Sequence, residues 1–238
     1  MSVNHSPPLL SADSLKIQRG IGKSTKLILN GGSDCTFTIE AGKLYHLAGV
    51  SGVGKSTLLW TLARLHPLVA GVLRLNGIRH SQIAIANWRT EVALLPQKSV
   101  IMPSTVIDNL LYPLHTFRIQ QERLHERHEP KPTTADLQRE LESVGLYDIP
   151  FEREAASLSG GQQARLALLR LLLTKPQLIL ADEPTAGVDE AATDLVFKRI
   201  HQFCETGGAI IFASHGYGSG VKGSRIILGG HSLLHTSI

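Results

Sequence analysis

Eight consecutive residues, Gly49-Val50-Ser51-Gly52-Val53-Gly54-Lys55-Ser56, fit the spacing GxxxxGK[ST] without a mismatch. That spacing suits phosphate. Glycines let backbone N–H groups wrap around phosphate oxygens where side chains would block the approach. A helix starting at the end of such a loop adds unpaired N–H groups and partial positive charge. In this chemistry Lys55 reaches the β- and γ-phosphates as a point charge. Ser56 offers a hydroxyl to Mg²⁺, and Thr57 can hydrogen-bond near the α-phosphate. The plain alternative is a glycine-rich turn that binds nothing. A buried-strand pattern before the loop and a helix-forming stretch after it weigh against that, so a nucleoside triphosphate site is expected.

A second reactive grouping closes an apolar run: Leu178-Ile179-Leu180-Ala181 is followed by Asp182-Glu183. A strand buried on both faces has little reason to end in two adjacent acids unless something binds at its carboxyl end. Asp182 is placed to hold Mg²⁺, directly or through water. Glu183 is placed to polarise a water that attacks the γ-phosphate. Taken alone, the pair could equally be solvated loop acids; the phosphate loop upstream favours the chemical reading. A glutamate directly after the metal aspartate suits hydrolysis better than transfer to an acceptor hydroxyl.

The elements that must position these groups are legible in outline. Short apolar patterns at residues 15–17, 27–29 and 36–39 predict strands, and residues 44–48 predict a buried one. Residues 57–65 predict a helix, and Leu73-Arg74-Leu75 before Asn76-Gly77 predicts a hairpin. Polar stretches of helical spacing flank Pro130-Lys131-Pro132, and helix dominates residues 161–174. Residues 177–181 and 209–213 return to the buried-strand pattern, giving a parallel α/β core with a helical insertion.

Composition narrows the classes. The chain has 238 residues, 42% hydrophobic and 18% charged, which fits one folded domain. A formal net charge of +4 is mildly basic, and Lys and Arg are not concentrated beside aromatics, so no nucleic-acid partner is expected. Cys35 and Cys204 stand far apart, which fits a reducing cytoplasm. The opening residues lack a signal-peptide order, and no apolar run is long enough to cross a bilayer.

Leu158-Ser159-Gly160-Gly161-Gln162 resembles the signature motif of the ATP-binding cassette (ABC) family. Leu95-Pro96-Gln97 resembles its Q-loop, Ala186-Gly187-Val188-Asp189 its D-loop, and Ser214-His215 its switch histidine. On its own chemistry, Ser159 with two glycines before a helix makes a second anion cradle. The resemblance implies an α/β fold: a P-loop NTPase (RecA-like) core with a parallel sheet, an N-terminal antiparallel β subdomain and an inserted α-helical subdomain. It implies one ABC ATPase domain over residues 12–238, with the core at about 12–98 and 177–238. The helical subdomain then covers about 99–176, and residues 1–11 form a flexible tail. It further implies ATP and Mg²⁺ as cofactors and a dimer in which Ser159–Gln162 of one copy closes over ATP held by the other. Gln97 would contact Mg²⁺ or the lytic water, His215 the γ-phosphate and Glu183, and Asp189 the route between the two sites. The partners implied are a second copy and a separate transmembrane permease, on the cytoplasmic face of a bacterial inner membrane. The permease contact is expected around residues 97–112 and the charged insertion.

Departures bear on the details. Such cassettes place an aromatic residue under the adenine, and residues 15–30 contain none; Gln18 and Arg19 are nearest, and Arg19 could stack its guanidinium plane on the base. His125 and His128, three apart, suit either a metal sensor or a solvated helix face. Trp88 is expected to pack against the helical subdomain. Residues 104–114 resemble bacterial cassettes that include metal (iron) exporters. Three functions compete: a transport ATPase subunit, a soluble cassette acting on nucleic acid or ribosomes, and a non-hydrolysing nucleotide-gated regulator.

Overall fold

The computed structural model describes residues 7–20, 25–214 and 223–236. The fold is built on the apolar runs. Leu44–Ala48 (β4), Leu178–Asp182 (β8) and Ala209–Ala213 (β9) are buried at every position. Strands apolar on both faces belong inside a sheet covered on both sides. With Val92–Leu95 (β7) and Ser224–Gly229 (β10) they run parallel, and Ser232–Thr236 (β11) closes one edge antiparallel to β10. The order is β11-β10-β4-β9-β8-β7.

A second, antiparallel sheet joins Leu10–Arg19 (β1), Lys26–Asn30 (β2), Phe37–Ile39 (β3), Ala70–Leu75 (β5) and Ile78–Arg79 (β6). Asn76 and Gly77 have φ of 50° and 80°, the pair of positive values that a tight hairpin between β5 and β6 needs. The expected tail is shorter than residues 1–11. Leu10 and Ser11 already pair with Ile39 and Thr38, and Leu9 and Leu10 are buried.

The described chain holds seven α-helices: Lys55–Leu62 (α1), Ile85–Glu91 (α2), Val106–Thr116 (α3), Arg118–Glu126 (α4), Thr134–Ser143 (α5), Gly160–Leu172 (α6) and Glu190–Glu205 (α7). The parallel sheet sorts its side chains by alternation. Leu178, Leu180 and Ile211 face a core shared with the antiparallel sheet and α1, whereas Ile179, Ala181 and Ile210 face a core shared with α3, α5, α6 and α7.

Three expectations need correction. Helix α1 stops at Leu62 rather than Leu65, because Arg64 turns to φ 56° and sends its guanidinium to the Ile83 carbonyl at 2.7 Å. Trp88 belongs to the core cluster beside α1 rather than to the cluster that holds the insertion's apolar residues: it is fully buried, its Nε1 donating to Leu62 O at 2.9 Å. His125 and His128 do not share a helical face, since α4 ends at Glu126 and His128 has φ 54°. Among the described residues no cluster of three His, Cys, Asp or Glu is placed to hold a metal ion. No described helix is long and apolar enough to cross a membrane.

Ion pairs tie the insertion to the core through Glu140 of α5 and Arg199 of α7, at 2.8 Å, and through a second group around Glu91. Arg123 of α4 and Arg127, just past its end, both reach Glu91 at the end of α2, at 3.2 and 2.6 Å. Arg123 also hydrogen-bonds the Thr174 and Lys175 carbonyls just past α6. Cys35 and Cys204 are free and buried, and burial pushes the Cys204 thiol up to about 11, away from thiolate chemistry.

Candidate functional site

All five parallel strands point their carboxyl ends to one edge, so β4, β9, β8 and β7 deliver their following loops side by side. From β4 comes the glycine-rich loop. Val50, Ser51, Gly52 and Ser56 are exposed, Gly49 and Val53 are half-buried, and Gly54, Lys55 and Thr57 are buried. Gly54 sits at φ 118°, and a Cβ there would lie 2.6 Å from Ile28 Cγ2, so only glycine lets β2 approach the loop this closely. Lys55, 8% exposed, curls over the loop and donates to Gly49 O at 2.8 Å and Val50 O at 3.3 Å.

β8 ends on Asp182, 7% exposed, whose carboxylate has no side-chain hydrogen bond among the described residues. The chain then kinks: Glu183 has φ 53° and its N–H donates to Ala213 O of β9 at 2.8 Å. Gln97, in the loop after β7, donates its Nε2 to Glu183 Oε2 at 2.9 Å. The structure thus brings Gln97, Asp182 and Glu183 to the edge that carries the loop of residues 49–54. His215 lies outside the described residues; Ser214, before it, follows β9.

Ser159 and Gln162 cap α6 reciprocally: Gln162 N–H donates to Ser159 Oγ at 3.3 Å, and Ser159 N–H donates to Gln162 Oε1 at 2.9 Å. Gly160 is exposed. A Cβ on Gly161 would come within 2.6 Å of Gly187 O, so the helix start lies directly on the segment before α7. Asp189 caps α7, accepting from Ala192 N–H at 2.9 Å. No hydrogen bond among the described residues links residues 159–162 to residues 49–57 of the same chain. At the other rim, Arg19 is exposed at the end of β1, and Gln18 is half-buried.

Sequence reasoning missed His46, Lys26 and Arg165. Arg165 of α6 is buried and donates to the carbonyls of Gly161, Val144 and Gly145. His46 carried a signal: it is a polar residue inside an otherwise apolar strand. It is 4% exposed, stacks on Phe212 at 5.0 Å and places Nε2 3.2 Å from Ser214 Oγ. Burial lowers its pKa below the ordinary 6.5, helped by the charges of Arg225 and Lys55 and opposed by the Ser214 hydrogen bond. Well above pH 6.5 the imidazole is neutral in folded and unfolded chains alike. Below it, the unfolded chain takes up a proton that the folded one resists, so stability falls with acidification. The melting temperature of wild type is therefore expected to drop more steeply than that of His46→Phe as pH falls below 6.5. Parallel curves would contradict this.

With that geometry in hand, known proteins can be compared. The sequence model for the ABC transporter family matches residues 33–186. The phosphonates import ATP-binding protein PhnC of Trichormus variabilis is 32% identical over 204 residues, covering 85% of this chain and 81% of that protein. The lactococcin-A transport/processing ATP-binding protein LcnC of Lactococcus lactis is 28% identical over 220 residues, covering 92% of this chain and 29% of that protein. A bacterial Atm1-family ABC exporter structure with ATP bound aligns at a TM-score of 0.80 and 21% identity, covering 100% of this chain and 40% of that one, which shows the fold. The chain belongs to the ABC transporter family, as an ATP-binding component with the ATPase activity that the family couples to transport. Such ATP-binding subunits work with a transmembrane permease.

Proposed function

We propose that two copies of this chain clamp two ATP molecules between them and drive a separate permease from the cytoplasmic face of a bacterial inner membrane. One observation carries the reading. The capped, glycine-rich start of α6 presents an anion cradle, yet it lies on Gly187 and, among the described residues, makes no hydrogen bond to the chain's own phosphate loop. A second copy related by a two-fold axis supplies the missing phosphate to each cradle.

In this scheme residues 49–57 hold the triphosphate, with Lys55 on the β- and γ-phosphates and Ser159–Gln162 of the other copy closing over it. Glu183 takes the proton of the attacking water. Gln97, already hydrogen-bonded to Glu183, orients that carboxylate and the water. The scheme assigns His215 to the γ-phosphate and to Glu183. Asp189, at the start of α7, links the two sites. Ser56, Gln97 and Asp182 fit Mg²⁺: all offer hard oxygen donors, and Asp182 is a buried carboxylate with no other side-chain partner among the described residues. When bound, the ion neutralises charge on the β- and γ-phosphates.

ATP adds contacts that only the closed pair makes, so it shifts the open–closed equilibrium, and hydrolysis removes them. The permease contact falls at residues 97–112, which join the Gln97 loop to α3. A free-standing subunit is supported by PhnC, with which the match covers most of both chains. Export is a second reading, favoured by the resemblance of residues 104–114 to bacterial cassettes that include metal exporters.

The test is mass. Glu183→Gln with ATP and Mg²⁺ is expected to run at twice its nucleotide-free mass by light scattering, and to return to one copy when ATP is replaced by ADP. A single copy under both conditions, with the permease supplied, overturns the clamp.

A further inference from the structure

We infer that Lys26 is a positioning residue that fixes the crest of the phosphate loop from outside. The inference rests on reading residues 49–57 as the triphosphate site. Lys26 opens β2, and its Nζ donates to Gly52 O at 2.7 Å. Among the described residues, no other side chain from outside residues 49–56 hydrogen-bonds a carbonyl within them; the remaining side-chain donor, Lys55, belongs to that stretch. Two residues on, Ile28 of the same strand presses on Gly54, where a Cβ would meet its Cγ2 at 2.6 Å and its Cδ1 at 2.7 Å. Alternate residues of a strand share a face. One face of β2 therefore grips the loop at two glycines, by charge at Gly52 and by contact at Gly54.

The grip on Gly52 has a directional consequence. In a trans peptide the C=O of one residue and the N–H of the next point opposite ways. Drawing Gly52 O outward to the ammonium turns the Val53 N–H inward, where it faces Val50 O across the loop at 3.3 Å. A glycine peptide at φ 73° has little of its own to hold that plane. Lys26 supplies the restraint, and it leaves its charge on the loop's outer rim. Its cross-strand neighbour is Arg19, another cation, and Lys26 makes no ion pair among the described residues, so no carboxylate competes for the ammonium. The strand edge beside Arg19 thus serves the phosphate loop.

Lys26 touches no reacting atom, so its loss should act on binding. Lys26→Met keeps the stem and removes the donor. Its KM for ATP is expected to rise about tenfold, the scale of one hydrogen bond to a charged group, with kcat within about twofold of wild type. The Kd for ADP should rise in parallel, and Lys26→Arg should bring both back to within about threefold of wild type. The residue is exposed, so the melting temperature of all three proteins should agree. Wild type assayed beside them separates the two claims. If wild type neither binds nor hydrolyses ATP, the triphosphate reading falls and takes this inference with it. If wild type is active and Lys26→Met has an unchanged KM, or loses kcat instead, the role of Lys26 alone is overturned.

Discussion

Glu183→Gln is expected to lower ATP turnover by about a hundred- to a thousandfold while leaving the KM for ATP within a few-fold of wild type. The substitution keeps the shape of the side chain, and the amide oxygen can still accept from Gln97 Nε2, which reaches the carboxylate at 2.9 Å. Only basicity and charge are lost. A drop confined to kcat therefore reports a proton acceptor, and equal rates would reject the role. A companion variant separates chemistry from folding. Glu183 holds φ 53°, a conformation that costs a non-glycine residue on the order of 1 kcal/mol. Glu183→Gly removes that cost and should melt a few degrees higher than wild type, while hydrolysing no faster than Glu183→Gln. A lower melting temperature would show that the glutamate side chain supports the fold, against the reading of backbone strain kept for function.

The largest expected change in stability lies far from the nucleotide edge. Glu91→Ala should cost about 3 to 5 kcal/mol, because it strands a buried cation without its counter-charge. Arg123 is 8% exposed, its Nε has no partner among the described residues, and burial lowers its pKa, so the environment already disfavours its charge. Glu91 serves Arg127 as well, so one truncation removes both ion pairs. For a chain of this size the loss amounts to a fall in melting temperature of about 6 to 20 °C. Arg123→Met in the same background should recover part of it, since an apolar side chain suits the site better than an unpaired guanidinium. A loss under about 1 kcal/mol would mean that the network is hydrated and holds the insertion only loosely.

How much of this was legible follows from how local each signal is. β4 and β9 fall on the residues expected of them, because short runs that are wholly apolar, or apolar but for His46, admit little else beside a glycine-rich boundary. The start of β1 was missed for a physical reason. Leu10-Ser11-Ala12-Asp13 alternates inward and outward, but the polar half of the alternation and the prolines before it look like loop. The end of α1 was missed because Arg64 is a good helix former whose side chain is recruited by the distant Ile83 carbonyl. Trp88 was misplaced for a similar reason, since its partner Leu62 lies 26 residues earlier in the chain.

The site divides the same way. The phosphate loop, the paired acids and the Ser159 cradle are contiguous, so their spacing announces them, and Ser159 with Gln162 reads as a capping box in its own right. The hydrogen bonds from Lys26 to Gly52, from Gln97 to Glu183 and between His46 and Ser214 join segments 26, 86 and 168 residues apart. No local pattern encodes them: the second and third arise once distant strands pair in the parallel sheet, and the first once the antiparallel sheet meets it.

The meeting of Gly161 with Gly187 carries one more consequence. Two backbones that would not admit a methyl group between them have no slack, so the front of α6 and the turn before α7 are geared together like meshed teeth. Swinging one must carry the other, without any relay of side chains. A bulky residue introduced at Gly161 would accordingly be felt first across the gap, in the backbone of Gly187.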